Sequence, residues 1–288
     1  MSTILLGLGS WVLGLAVAAS SGLLVSADEL ATLLKDPTVV VVAVGNSVDD
    51  FTAGHIPGAR LVLYDEIAPA VDGLQSELPP VESLRRVLAN AGIGDRSKVV
   101  IYGSTIAATR MFFTLDYFGH PNARVLNGGL AAWKARGGPI EVSPPSTVTA
   151  SSLTPKPQPD RVVSADWIME RLSTPKMKLL DARPDPEYTG SDGGMNGMHV
   201  LGHLPDARQL VWNTLLDSSG KFLPDAELRK KYEAIGATKD TPLVSYCLIG
   251  MRASVTYFVA RHLGYDARMY DGSIVDWSRR RLPAVKGR

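Results

Sequence analysis

The sequence contains a single cysteine, Cys247, among its 288 residues. One thiol cannot form an internal disulfide, and it excludes a metal site built from several thiolates. The formal net charge is only +1, so no basic field indicates nucleic acid or an anionic membrane surface as a partner. Charged residues make up 20% and hydrophobic residues 45%, which is the balance of a globular rather than a disordered chain.

Histidine is also scarce, with five in the whole chain. Only His199 and His203 stand close together, and a spacing of four residues chelates a metal when both lie on one helix face. Gly197, Gly202 and Pro205 surround the pair and argue against a helix. No metal site is therefore expected there.

The N-terminal segment has no charged side chain between residues 4 and 25. Its most apolar part is short for a membrane span, which needs about 20 apolar residues. Ala16-Val17-Ala18 has the small-x-small pattern of a signal-peptide cleavage site, although no Lys or Arg precedes it. We interpret residues 1–22 as a signal peptide or an N-terminal anchor. This predicts export to the periplasm, with the membrane as a partner only if the segment stays uncleaved; a cytoplasmic protein is the alternative.

Three motifs occur twice, in the same order. The repeats are VSAD at 25–28 and 163–166, GHIPGAR at 54–60 with GHLPDAR at 202–208, and Asn-Gly-Gly at 127–129 before Trp133 with Asp-Gly-Ser at 271–273 before Trp277. The chain therefore reads as two copies of one domain of about 120 to 130 residues. We predict domains at 23–142 and 161–288. The linker at 143–160 is rich in Pro, Ser and Thr, which favours extended backbone and resists packing into either core.

Each copy alternates short apolar runs with amphipathic helical patterns. Strands are predicted at 39–44, 98–102 and 123–126, and again at 178–181, 243–246 and 267–270. Helices are predicted at 81–91, 109–118, 227–235 and 252–263. Continuous apolar strands separated by helices indicate an α/β fold with parallel sheets covered on both faces. In such sheets, ligands bind beyond the carboxyl ends of the strands.

Cys247 begins a short loop between a predicted strand, which ends at Tyr246, and a predicted helix, which begins at Arg252. If the loop curls over the helix start, its backbone N–H groups converge on the sulfur and form an anion-binding nest. Arg252 adds a positive charge, and Gly250 allows the positive φ angle that a tight loop requires. These features favour a reactive thiolate. The alternative is a small buried hydrophobe, the usual state of a lone cysteine after a strand.

The sequence CLIGMR at 247–252 resembles the active-site loop of the rhodanese family. The motifs around it resemble those of the family as well: Asp181-Ala182-Arg183, Glu187-Tyr188, Gly202-His203-Leu204-Pro205, and Asp271-Gly272-Ser273 with Trp277. From about Leu23 onward, the chain is similar to tandem-domain thiosulfate sulfurtransferases, in which the first domain is catalytically silent. The resemblance implies two rhodanese-like α/β domains, each a parallel sheet flanked by helices on both faces.

The two copies differ at the reactive positions. Aligning the strand before the loop in each copy places Gly103 where Cys247 stands, and Arg110 then closes a longer loop. Val44 stands at the position of Asp181. The first domain is therefore expected to be structural, supplying one wall of a cleft at the domain interface.

The resemblance implies a double-displacement reaction. The Cys247 thiolate attacks the outer sulfur of thiosulfate, releases sulfite and holds the sulfur as a persulfide, a covalent intermediate of nucleophilic catalysis. A thiophilic acceptor such as cyanide or a thiol then removes the sulfur. Side chains and backbone suffice for this chemistry, so no cofactor is implied. The protein is expected to be a monomer. Its expected partners are a small anionic sulfur donor and a thiophilic acceptor.

The resemblance also implies the roles of the residues. Cys247 and Arg252 are the expected catalytic residues, and Arg252 would help to hold the anionic donor. The expected substrate-binding residues are Leu248, Ile249, Gly250, Met251, Asp181 and Arg183. For the last two, a structural ion pair that orders the loop is an equal alternative.

The remaining motif residues are expected to be structural. His55 and His203 are interpreted as turn residues, and Trp277 as core packing. The insertion at 191–200, rich in Gly and Met, has no counterpart in the first copy, and its role is open.

Two departures from the family pattern concern the donor. Animal thiosulfate and mercaptopyruvate sulfurtransferases carry a substrate-binding arginine where Glu187 stands, and an acidic residue cannot hold a sulfonate or carboxylate. Leu248 and Ile249 also replace the Gly-Ser pair that marks mercaptopyruvate enzymes.

Two functions are alternatives to a thiosulfate sulfurtransferase: a 3-mercaptopyruvate sulfurtransferase and a non-enzymatic sulfur-relay or binding protein. A phosphatase is disfavoured, because its loop has five residues between cysteine and arginine and this one has four.

Overall fold

The computed structural model describes residues 22–192 and 198–288. The expected signal peptide or anchor at 1–22 lies outside the described residues except for Gly22, as do residues 193–197 of the insertion. Within the described ranges, no helix is both long and apolar enough to cross a membrane.

The first domain is a five-stranded parallel sheet between two layers of helices. Its strands are β1 (Leu24–Val25), β2 (Val39–Gly45), β3 (Arg60–Leu63), β4 (Lys98–Gly103) and β5 (Ala123–Leu126), in the order β1-β5-β4-β2-β3. Its helices are α1 (Ala27–Leu33), α2 (Val48–Thr52), α3 (Tyr64–Ile67), α4 (Val81–Asn90), α5 (Thr105–Phe118) and α6 (Gly129–Ala135). Successive side chains of β2 point to opposite faces, so Val42 packs in the cluster of α4 and α5 and Val41 in that of α1 and α6.

The second domain repeats this plan with four parallel strands. They are β6 (Lys178–Asp181), β7 (Arg208–Gln209), β8 (Leu243–Tyr246) and β9 (Ala267–Met269), in the order β7-β6-β8-β9. Its helices are α7 (Ala165–Met169), α8 (Asp185–Thr189), α9 (Asp225–Ala234), α10 (Ala253–His262) and α11 (Ser273–Arg279), with 3₁₀ turns at 159–161 and 212–215. The predicted α/β class, with two parallel sheets flanked by helices, is confirmed.

Matching contacts in the two domains reflect the repeat. His55 stacks on Phe51 with ring centroids 3.7 Å apart, and its Nδ1 lies 3.0 Å from the Phe51 carbonyl oxygen. His203 stacks on Tyr188 at 3.9 Å, and its Nδ1 lies 2.9 Å from the Tyr188 carbonyl oxygen. Both histidines are buried, and these contacts confirm their structural role. Trp277 is fully buried in the second core, as predicted.

The segment between the domains is extended but packed. Residues 143–158 form no helix or strand, as their composition predicts. Leu153 is nevertheless buried in the core, and Thr154 donates from its backbone N–H and its hydroxyl to the Asp95 carboxylate, at 2.7 and 3.0 Å. The prediction that the linker resists packing is wrong, because local hydrogen bonds fix it against the first domain and carry Leu153 into its core.

The two domains share one hydrophobic core through α5 and α10. α5 is apolar on nearly all sides, which is the pattern of a helix buried on every face. Phe112 meets Phe258 edge to face, with ring centroids 4.9 Å apart. The hydroxyls of Thr109 and Ser254 lie 2.9 Å apart in the same interface. A single cluster of buried side chains therefore runs from one sheet to the other.

Candidate active site

Cys247 is the first residue after β8, which lies between β6 and β9 in the second sheet. It has no exposed surface and belongs to the core cluster that the two domains share. Its position is the carboxyl edge of a parallel sheet, where this type of fold binds its ligands. Burial alone fits a small structural hydrophobe, so the surrounding loop decides between the two interpretations.

The loop from Cys247 to Arg252 leads directly into α10. Gly250 has a φ of +81°, as predicted, and a Cβ there would lie 2.6 Å from Asp271 Oδ1 and 2.8 Å from the Asp271 carbonyl oxygen. In the described part of the chain, the backbone N–H groups of residues 248–252 have no protein acceptor. Amides without partners at the start of a helix are the donors of an anion-binding nest.

The turn after β9 holds the loop from its other side. Ser273 Oγ accepts the N–H of Cys247 at 3.1 Å. The N–H groups of Ile274 and Val275 donate to the carbonyl oxygens of Cys247 and Leu248, both at 3.2 Å. Ser273 has a φ of +52°, an uncommon conformation for a residue other than glycine. The Asp-Gly-Ser motif at 271–273 thus positions the cysteine loop.

Arg252 is paired with Glu187 of α8. Its two terminal nitrogens donate to the two carboxylate oxygens at 2.6 and 2.7 Å, a bidentate arrangement. Burial lowers the pKa of Arg252, but the hydrogen bonds to Glu187 and the charge of Cys247 outweigh it, so the net shift is upward. Arg252 therefore shares its charge with a carboxylate of the protein.

Asp181 and Arg183 form a closed, buried pair at the end of β6. Arg183 Nη2 donates to Asp181 Oδ2 at 2.6 Å and to the Gly202 carbonyl oxygen at 2.7 Å. The two side chains are 0% and 2% exposed. Of the two interpretations of these residues, the geometry favours the ion pair that orders the loop. A donor molecule has no exposed face of either residue to contact.

The first domain reaches the loop through Arg110 of α5. Arg110 is fully buried, and its terminal nitrogens donate to the two carboxylate oxygens of Asp271 at 2.5 and 3.0 Å. The backbone N–H of Leu78 also donates to Asp271, at 2.8 Å. Burial raises the pKa of Tyr64, and the charges of Cys247 and Asp271 raise it further while Arg110 opposes them. The first domain thus packs within electrostatic range of the thiol.

Glu77 lies beside the same ion pair. Burial raises its pKa to about 8, and Asp271 adds to the shift while Arg110 opposes it. Its Oε1 is buried and has no hydrogen-bond partner in the described ranges. A carboxyl with this pKa is mostly protonated at neutral pH. The charge of Asp271 is therefore balanced by Arg110 without a second anion beside it.

The first domain has Gly103 at the position of Cys247. In each domain the preceding tyrosine, Tyr102 or Tyr246, accepts a backbone N–H from the glycine-histidine motif, which fixes the equivalence. Gly103 has a φ of +157°, and a Cβ there would lie 2.4 Å from the Val44 carbonyl oxygen. The backbone of the first domain therefore excludes a side chain where the second domain carries its thiol.

Two predictions for the first domain are wrong. The strand register pairs Ala43 with Tyr102 and Asp181 with Tyr246, so Ala43 rather than Val44 is the counterpart of Asp181. Arg110 closes no loop, because α5 begins at Thr105 rather than at the predicted residue 109. The helix starts early because the side chain of the preceding serine caps it.

The contacts that Asp271, Ser273, Arg110 and Tyr64 make at the site are not predicted from the sequence. The sequence carries a signal for the first two, since the motif recurs as Asn-Gly-Gly at 127–129 and Asp-Gly-Ser at 271–273 and so marks a turn that both domains need. Arg110 and Tyr64 belong to the other domain, and nothing local in the sequence connects them with the cysteine loop.

The fold and the site together define a tandem α/β protein with one cysteine loop, at the carboxyl edge of its second sheet. A family model described as the rhodanese-like domain matches the chain twice, at residues 26–136 and 164–280. The chain therefore belongs to the rhodanese family.

Curated relatives cover nearly the whole chain. The sulfur carrier protein TtuD of Thermus thermophilus is 32% identical over 279 residues, which are 92% of this chain and 96% of that protein. The thiosulfate sulfurtransferase of Azotobacter vinelandii is 30% identical over 272 residues, which are 90% and 95% of the two chains.

Solved structures share the fold over most of this chain. EanB in complex with ergothioneine has a TM-score of 0.82 at 25% identity, over 92% of this chain and 70% of that one. YnjE has a TM-score of 0.84 at 24% identity, over 92% and 68%. The likeness to YnjE concerns the fold alone.

Proposed function

We propose that this protein is a sulfurtransferase that carries sulfane sulfur as a persulfide on Cys247. It takes the sulfur from thiosulfate or a related anionic donor and passes it to a thiophilic acceptor such as cyanide or a thiol. The observation that carries the proposal is the loop itself, which presents unpartnered backbone N–H groups between the only thiol and the start of α10. Relatives named thiosulfate sulfurtransferase, and an EanB structure with a cysteine persulfide, support it.

Each part of the loop has a role in this reaction. Cys247 is the nucleophile, and the amides of Leu248, Ile249, Gly250 and Met251 stabilise the negative outer sulfur of the persulfide. Arg252 adds a positive field that Glu187 partly offsets. Because the chain has only one cysteine, no internal thiol can discharge the persulfide, and the acceptor comes from outside.

A second candidate is a sulfur-relay protein that passes its sulfur only to a dedicated partner. The relative named a sulfur carrier protein and the complete burial of Cys247 favour it. Repeated turnover with cyanide distinguishes an enzyme from such a carrier, since a dedicated carrier discharges slowly to a small acceptor. Mercaptopyruvate has weaker support, because Leu248 and Ile249 stand where its enzymes have small residues.

The test is intact-protein mass spectrometry after incubation with thiosulfate, and separately with a small-thiol hydropersulfide. We expect a gain of one sulfur atom that cyanide removes, and no gain in Cys247→Ala. If no anionic sulfur donor adds sulfur to the wild-type protein, the proposed function is wrong. Hydrolysis of a chromogenic phosphate ester that Cys247→Ser abolishes would instead indicate a phosphatase.

A further inference from the structure

Both terminal nitrogens of Arg252 are already occupied by a carboxylate of the protein. The bonds to Glu187 are short, 2.6 and 2.7 Å, and together they use the paired donor face with which a guanidinium binds an oxyanion. The side chains of Arg252 and Glu187 are only 20% and 14% exposed. Solvent therefore screens this pair less than an exposed surface pair.

The other arginines around the loop are engaged in the same way. Arg183, whose charge acts on Arg252, is closed on Asp181. Arg110, whose Nη1 would lie 3.3 Å from a Cβ on Gly250, is closed on Asp271. Within the described residues, these three guanidinium groups are thus matched one to one by carboxylates. The backbone amides are left as the local donors to an anion.

We propose that Glu187 is a specificity-determining residue, which disfavours donors whose transferable sulfur is bonded to a sulfonate group, such as thiosulfate, and leaves the site selective for hydropersulfides, R–S–SH. In these donors a thiol bears the sulfane sulfur. The selectivity rests on the sulfurtransferase function proposed above, because it concerns the first step of that reaction.

The two donors place different demands on the site. Thiosulfate carries a sulfonate group that needs a positive partner, and its natural partner, Arg252, is held by Glu187. Binding it requires either the loss of two charge-assisted hydrogen bonds or a sulfonate beside a carboxylate. A hydropersulfide carries no sulfonate. Its transferable sulfur needs only the backbone N–H groups of residues 248–252 as hydrogen-bond donors.

The hydropersulfide step balances without an added reagent. The Cys247 thiolate attacks the outer sulfur of R–S–SH, a new S–S bond forms, and the S–S bond of the donor breaks. R–S⁻ leaves with the electron pair, and Cys247 retains –S–SH. One sulfane sulfur moves from thiol to thiol, so there is no net oxidation or reduction.

The decisive variant is Glu187→Gln, which keeps the shape of the side chain but frees the charge of Arg252. We expect kcat/KM for thiosulfate to rise about 10- to 100-fold, the range of a hydrogen bond to a charged group. The value for glutathione hydropersulfide should change little. Glu187→Asp keeps the charge and should keep the wild-type selectivity.

The matched control is Glu82→Gln, which removes the same charge from an exposed Glu–Arg pair in the first domain, where Arg85 Nε lies 2.8 Å from Glu82. This control should change kcat/KM for neither thiosulfate nor glutathione hydropersulfide. Equal effects of Glu187→Gln on both donors, or no effect on thiosulfate in a protein with a wild-type melting curve, would overturn the selectivity. If neither donor loads wild-type Cys247, the sulfurtransferase function itself fails, and the selectivity fails with it.

Discussion

Replacing Arg110 with Met tests how strongly the first domain supports the cysteine loop. The substitution keeps an unbranched side chain but removes both hydrogen bonds to Asp271, at 2.5 and 3.0 Å. Asp271 is 3% exposed and, among the residues that the structure describes, its carboxylate would keep only the N–H of Leu78 as a partner. Removing one member of a buried ion pair leaves an uncompensated charge and costs about 3–5 kcal/mol. For a protein of this size that is a fall in Tm of roughly 6–20 °C.

The assay is urea unfolding followed by circular dichroism, with sulfur loading of Cys247 measured on the folded fraction. Arg85→Met is the matched control, because it breaks an exposed pair with Glu82 and should cost at most about 1 kcal/mol. The double variant Arg110→Met with Asp271→Asn should recover part of the loss, since no unpaired charge remains. If Arg110→Met lowers the free energy of unfolding no more than Arg85→Met does, the buried ion pair does not join the two domains as we infer.

Three further substitutions test the backbone conformation at two glycines and the titration of Glu77. Gly250→Ala should slow sulfur loading and destabilise the fold, because its Cβ would collide with Asp271 and its φ is positive; normal loading would contradict the tight packing. Gly103→Cys should destabilise the first domain, measured as a lower Tm, since its Cβ would lie 2.4 Å from the Val44 carbonyl oxygen. The pKa of Glu77 is raised from 4.5 to about 8, so its contribution to stability is full below pH 4.5 and is lost as the pH rises through 8. Glu77→Gln should therefore gain stability relative to wild type across that window, and parallel pH profiles of the two proteins would exclude this titration.

The tandem α/β fold can be predicted from the sequence because its signals are local. Apolar runs flanked by helical patterns, and three repeated motifs, identify two copies of one domain without any tertiary information. The place of Cys247 follows from the same signals, since a strand, a short loop and a helix occur in sequence around it. These features do not depend on which distant residues meet.

The sequence does not reveal the register of the first sheet. The run from Val39 to Val44 is apolar at every position, so it lacks the alternation that would fix which residue faces which layer. For this reason the sequence predicts the counterpart of Asp181 one residue away from its true position, at Val44 rather than Ala43. In the second domain the apolar strand ends at an acidic residue, Asp181, and this change of residue type identifies the position in the sequence.

The ion pairs of the site cannot be predicted from the sequence either, because they join residues that are far apart in it. Glu187 and Arg252 are separated by 65 positions, and Arg110 and Asp271 by 161. Glu187 stands out in the sequence as an acidic residue where a donor-binding arginine is expected. Only the structure shows that it binds the arginine of the loop.

The measurement that tests the central claim most directly is rapid-quench mass spectrometry of the protein during turnover with a sulfane donor and cyanide. We predict that one sulfur atom appears on the peptide that contains Cys247 within the first turnover, and that it disappears at a rate no slower than kcat. Thiocyanate formation without sulfur on Cys247, or undiminished turnover by Cys247→Ala, would contradict the persulfide account.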